Sequence, residues 1–150
     1  MIGCLPRLVV LALAALAFLA VSLGLARVLS ANTAEREAIE RLLRAQVRGD
    51  AAAMIARLDG CAERAGCRAS ARENAARLRT PGRLQVVRLD PSTSFSLGGT
   101  SGTARVVWRT SRRTTVVQCV RVRRAGDVLR GLRVELRALS RPIPRTTSCP

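Results

Sequence analysis

Hydrophobic positions fall into three regimes along the chain. From Leu8 to Ala26 they are continuous, nineteen residues without a charge, closed by Arg7 and Arg27. At about 1.5 Å per residue such a helix crosses the roughly 30 Å hydrocarbon core of a bilayer. The run therefore predicts a retained membrane anchor. The alternative is a long signal sequence cleaved after Ala26 or Ser30, where Gly24-Leu25-Ala26 and Val28-Leu29-Ser30 place small residues at cleavage spacing.

From Asn32 to Pro81 apolar residues recur with the helical period of about 3.6 residues. Asn32-Thr33-Ala34-Glu35 reads as a capping box, opening a helix that turns Ile39, Leu42, Leu43 and Val47 inward. Gly49 supplies a stop, and Asp50 caps a second helix running through Ala51, Met54, Ile55 and Leu58 to an Asp59-Gly60 turn. Ser70-Ala71-Arg72-Glu73 reads as a second capping box for a third helix, with Ala75 and Leu78 inward and Pro81-Gly82 ending it.

Beyond Gly82 the period changes to two, and Val, Thr and Leu dominate. Strands are predicted over Leu84–Leu89, Thr93–Leu97, a stretch in which Ala104, Val106 and Trp108 alternate with Arg105, Val107 and Arg109, and Val116–Arg123. Gly98 to Gly102 reads as a flexible connection and Ala125-Gly126-Asp127 as a turn. In the last strand Leu132, Val134, Leu136 and Ala138 point one way while Arg133, Glu135 and Arg137 point the other. The tail from Arg141, with Pro142 and Pro144, should leave the sheet. The expected class is α+β: an N-terminal transmembrane helix, then three helices packed on an antiparallel sheet of four to five strands. Residues 1–30 are the anchor or signal, 31–82 the helical half of one exported domain, and 83–150 its sheet half with the Pro-rich tail.

Charge adds a partner class to this outline. Net charge is +16, and the 26 basic residues are all Arg, with no Lys or His. A GC-rich genome explains part of the arginine excess. What remains favours phosphates, anionic lipid headgroups or nucleic acid. The positives are scattered, however, and Arg36, Arg41, Arg44 and Arg48 sit among Glu35, Glu37 and Glu40 at helical pairing distances, so nucleic acid is not the expected partner. Arg105, Arg109, Arg121, Arg123, Arg133 and Arg137 recur at period two and could share one sheet face. That face is either plain solvated surface or an interface for lipid headgroups, an envelope polyanion or an acidic protein.

Cys4 precedes the apolar run, whereas Cys61, Cys67, Cys119 and Cys149 follow it, an even number suited to an oxidising compartment. Of three pairings, one closes a short Cys61–Cys67 loop and pins the tail to a strand through Cys119–Cys149. Free buried thiols are the alternative. Zinc is disfavoured, with no C-x-x-C and no His. An exported cysteine set places the N-terminus in the cytoplasm and the domain outside, in a single-pass bacterial membrane protein, or secretes the domain if the signal is cleaved.

Catalytic motifs do not emerge. The chain lacks His and Tyr, a Ser-His-Asp set, G-x-S-x-G and a phosphate loop. Asp90 and Asp127 read as turn residues, Glu135 as part of the solvent face, and Asp50 and Asp59 as cap and turn former. The expectation is no enzyme, no catalytic residue, no metal site and no cofactor. Trp108, the single Trp, and Gln118 are candidate pocket residues, although a core-filling indole and a hydrogen-bonded core amide are the preferred readings.

Three helices with a Gly-Asp junction between the first two, followed by antiparallel strands, resemble the nuclear-transport-factor-2-like superfamily. The phrases that carry the likeness are Ala38-Ile39-Glu40-Arg41-Leu42-Leu43 and Val47-Arg48-Gly49-Asp50-Ala51-Ala52-Ala53-Met54, and it covers roughly Thr33 to Ser140. The resemblance implies a cystatin-like cone, a curved sheet wrapped on helices, whose mouth holds a ligand, a dimer partner or nothing. An anchor joined to such a domain is similar to Mce-associated membrane proteins and to bitopic assembly proteins of type IV secretion systems. Both imply a scaffold. The leading expectation is a non-enzymatic envelope module for protein interaction or assembly, binding a partner protein or its own copy. A small-molecule or lipid-binding cone is the alternative, and an isomerase- or cyclase-like enzyme a more distant one.

Overall fold

The Gly-Asp junction locks the helical half together. The computed structural model describes residues 5–91, 100–125 and 133–149. Helix α1 spans Leu5–Arg48. It ends where Gly49 adopts φ +76, with the amides of Gly49 and Asp50 donating to the carbonyls of Gln46 and Ala45 at 2.9 Å each. These two bonds make the paired 5→2 and 6→1 closure that a left-handed residue permits. Asp50 then caps α2 (Ala51–Arg57), its side chain accepting from the Ala53 amide at 2.8 Å. Asp50→Ala should therefore destabilise the domain by about 1 kcal/mol in thermal or urea unfolding. An unchanged midpoint would show that the cap carries no weight.

Two compact units divide the chain, Met1–Thr33 and Ala34–Pro150, so α1 contributes to both. In the first, Val9–Ala26 has a mean hydropathy of 2.7, none of it buried, and is long and apolar enough to cross a membrane. A signal sequence meets the same criterion.

Within the second unit, Ile39, Leu42, Leu43 and Val47 of α1 are buried as their spacing predicts. The opposite face carries the ion pairs Arg36–Glu40, Glu37–Arg41 and Glu40–Arg44, at 3.3, 3.5 and 3.0 Å. The first capping box is not a helix start, because the chain is already helical through Asn32–Glu35. Glu35 turns into the domain and pairs with Arg124 at 2.6 Å.

Helix α3 (Ala65–Leu78) likewise begins before its expected capping box, leaving Ser70 inside the helix. The start is set by tertiary ties instead. Cys61–Cys67 bridges into its first turn, and Arg64 donates to the carbonyls of Gly60, Asp59 and Arg137 at 2.8, 2.7 and 3.0 Å. The alanine-rich stretch that follows needs no further signal. Ala71, Asn74, Ala75 and Leu78 face the core.

The sheet is an open antiparallel meander, order β1-β2-β3-β4, built from Gln85–Asp90, Thr100–Thr110, Arg113–Ala125 and Arg133–Leu139. Strand β2 takes in Thr100 to Gly102, expected as loop, because they pair with Arg124 to Val122. The expected strand Thr93–Leu97, Gly98-Gly99, Gly126-Asp127 and Leu132 lie outside the described residues.

Each strand pair is interrupted by a register shift, at Val86/Arg88, Trp108/Thr110 and Arg121/Val122. The last one changes the phase of β4. Val122 pairs with Leu136 but Arg121 with Ala138, so Arg137 is the extra residue, and Leu139 rather than Ala138 enters the core. Ala104, Val106, Trp108, Val120, Val122 and Leu136 on the inner sheet face close over Ile39, Leu42, Leu43 and Met54.

The tail departs from β4 yet stays beside β3. Ser140 and Ile143 amides donate to the Cys119 and Val117 carbonyls at 2.8 and 2.9 Å, extending the edge that β4 leaves open. Cys119–Cys149, with Cα atoms 5.7 Å apart, then fastens the chain end over the outer face. Arg141 bonds Glu73 at 2.7 Å, and together with Arg77 it holds the Glu73 carboxyl below the usual carboxylate range.

Candidate functional site: an arginine-bearing outer sheet face

Alternation in β2 and β3 sends even-numbered side chains from Ala104 to Trp108 and from Val116 to Val122 inward, so odd-numbered ones stand on the outer face. Arg105, Arg109, Arg121 and Arg123 are therefore on one face, joined by Arg133 of β4 opposite Ala125. Outward alternation alone would leave this face wet. Val117 and Cys119 are nevertheless only 2% and 5% exposed, because the tail lies over them.

That strap divides the arginines into two groups. Arg121, Arg123 and Arg133 are exposed at one end, where Glu135, opposite Arg123 and 3.6 Å from it, is an acidic neighbour. Arg105 lies half-buried between the groups and donates to the Arg145 carbonyl at 2.5 Å. Arg109 is at the other end, its Nε donating to Gln85 Oε1 at 3.1 Å. Arg137 leaves the set: displaced by the bulge, it reaches Asp59 at 2.8 Å and Glu135 at 3.3 Å. It ties the end of α2 to the edge strand.

Trp108 and Gln118 are wholly buried and use their polar atoms on each other and on the core. Gln118 Oε1 accepts from Trp108 Nε1 at 2.8 Å and from Gln46 Nε2 at 3.0 Å, while Gln118 Nε2 donates to the Ser140 carbonyl at 2.9 Å. Asn74 Nδ2 donates to that same carbonyl at 3.2 Å. This network joins α1, α3, two strands and the start of the tail. Gln46 was invisible to periodicity, since an amide on a helix carries no sign of which side it takes.

Of the acidic residues weighed from sequence, Asp90 ends β1 opposite Arg105 and accepts from Arg88 Nε at 2.8 Å. Asp50 and Asp59 serve the α2 cap and the Arg137 pair. Cys61–Cys67 and Cys119–Cys149 are disulfides, and the described residues hold no cluster of three or more metal-ligating side chains.

Sequence reasoning also missed Arg112 and Arg145. The first sits in the β2–β3 turn and the second in the tail, where no repeat marks them. With Gln85, Arg109, Thr110, Ser111 and Thr115 they line an open cleft of about 600 Å³. No protein family, curated protein or solved structure compared with the chain matches it.

Proposed function

We propose that the chain is a membrane-tethered envelope domain that engages an acidic protein partner through Arg121, Arg123 and Arg133, without catalysing a reaction. The observation that carries this reading is their common exposure on the outer sheet face, where Arg123 pairs with Glu135. Arginine is suited to such contacts, since its planar fork matches a carboxylate and is only weakly hydrated. The filled interior supports a surface over an internal ligand cavity: Trp108, Ile39, Leu42, Leu43 and Met54 occupy the space between helices and sheet.

On this reading the apolar helix is retained, the N-terminus is cytoplasmic, and the domain is extracytoplasmic. Its two disulfides suit that compartment. The order of helices then an antiparallel meander, with a register shift in each strand pair, supports a nuclear-transport-factor-2-like domain with a curved, cone-like sheet. Its likeness to Mce-associated membrane proteins is part of the same proposal.

The test is site-specific photo-crosslinking in bacterial cells from Thr103, which faces Arg121 across the β2–β3 pair, with Arg72 on α3 as the control position. One discrete adduct from Thr103, abolished by Arg121→Glu with Arg123→Glu, is expected. A lone monomer at both positions overturns the reading. The mass of the extracted protein reports whether the apolar segment is retained.

A further inference from the structure

The cleft at the hairpin end of the sheet brings together residues from five segments of the second unit. Gln85 opens β1, Arg109 and Thr110 end β2, Ser111 and Arg112 form the turn, Thr115 lies in β3, and Arg145 comes from the tail. No carboxylate is among these lining residues. Three arginines therefore line one cavity together with a glutamine, a serine and two threonines. Like charges gathered without a counter-charge raise one another's energy, and an anion placed between them removes that cost.

The arrangement is held in place rather than scattered. Gln85 Oε1 fixes the Arg109 guanidinium at 3.1 Å. The Arg145 main chain is gripped by Arg105 Nη2 at 2.5 Å, and the Cys119–Cys149 disulfide anchors the tail that carries it. Ser111 packs against Gly82, whose lack of a side chain admits the close approach.

Thr110 stands behind these side chains. It is only 5% exposed, and its Oγ1 has no hydrogen-bond partner among the described residues. A buried hydroxyl left unpaired costs about 1–3 kcal/mol, so buried polar side chains are nearly always satisfied. That oxygen is sealed from solvent, so Thr110 shapes the wall of the cleft and offers no donor into it.

We propose that this cleft is a binding site for a phosphoryl group, held by Arg109, Arg112 and Arg145 with hydroxyl donors from Ser111 and Thr115. Phosphoryl chemistry fits because guanidinium forks bind tetrahedral oxyanions bidentately, and hydroxyls fill the remaining lone pairs. The site stands apart from the partner surface proposed above, at the other end of the strap, and does not depend on it. It also depends on the redox state of the tail, since Arg145 is delivered by the disulfide-fastened segment.

The experiment is calorimetric titration of the full, oxidised chain in neutral detergent. One arm uses inorganic phosphate and glycerol phosphate, and the other uses micelles doped with phosphatidic acid. Saturable binding with one phosphoryl group per chain is expected. Arg112→Ala and Arg145→Ala should each weaken it by about tenfold or more, the worth of one charge-assisted hydrogen bond. Arg121→Ala should leave it unchanged. Cys119→Ser with Cys149→Ser should weaken it as Arg145→Ala does.

Binding to soluble phosphates identifies a free phosphorylated ligand, and binding confined to doped micelles identifies a lipid headgroup. Both uphold the site. Both altered arginines are exposed, and each variant's unfolding midpoint is checked against the parent so that a loss is not misfolding. No saturable binding in either arm, or binding indifferent to Arg112→Ala and Arg145→Ala together, overturns the proposal.

Discussion

Arg124→Met should destabilise the folded domain by about 3–5 kcal/mol, the largest single-residue effect expected in this chain. Glu35 is wholly buried, and Arg124 grips its Oε2 with Nε at 3.0 Å and Nη2 at 2.6 Å, its own side chain only 10% exposed. Removing the guanidinium leaves a carboxylate in a low-dielectric interior without that counter-charge. The pair itself is a different matter. Desolvating two ions roughly cancels their attraction, so Glu35→Leu with Arg124→Met should recover most of the loss. Urea unfolding of the full chain in detergent, with both singles and the double, gives the coupling directly. If Arg124→Met unfolds at the parental midpoint, the pair does not hold α1 to β3.

Gln118→Leu should cost about 3 kcal/mol, from a different cause. The amide serves three groups at once: the Trp108 indole, the Gln46 amide and the Ser140 carbonyl. An apolar replacement of similar volume takes this partner from the buried Trp108 indole and Gln46 amide, at about 1–3 kcal/mol each before relaxation, while the Ser140 carbonyl keeps Asn74. Gln46→Leu should cost less, because Gln46 is joined only to Gln118 by the side-chain bonds of this network. Equal costs for the two would show that Gln118 is not the hub. Trp108 is the only tryptophan, so its emission reports the same site during unfolding. A shift in the native spectrum of Gln118→Leu, before any unfolding, is expected from loss of the indole's acceptor.

These two sites also show where sequence reasoning reached its limit. Gln118 could be placed on the inner face by alternation, and the choice of a core amide over a ligand contact followed from its polar character. Its partners could not be read, since Gln46 is 72 residues away. Glu35 was misassigned because Asn-x-x-Glu has the form of a capping box, and the competing attraction of Arg124, 89 residues on, is not local. The Ser70 box failed in the same way. In both places a local pattern was present, but a helix was already under way before it.

Strand boundaries were clearer than strand phase. Alternation located β1 to β4, yet a single inserted residue at Arg137 reversed the faces of the residues that follow and took Arg137 out of the proposed basic face. The tail from Arg141, with Pro142 and Pro144, was expected to leave the sheet. It does leave β4, but the free edge of β3 captures the amides of Ser140 and Ile143. A proline run says where pairing stops and nothing about what the next residues cover.

What the sequence determined by itself was whatever short-range physics specifies. It determined the apolar segment, the Gly49-Asp50 junction, the helical period of Ile39 to Val47 and the change to period two after Gly82. Each depends on neighbours within a turn or a strand step. Only the tertiary structure decided the buried Glu35–Arg124 pair, the Gln46–Trp108–Gln118 network, the strap formed by the tail and the cleft lined by Arg109, Arg112 and Arg145. Those arrangements are set by contacts between segments far apart in the chain, where sequence spacing carries no information about distance.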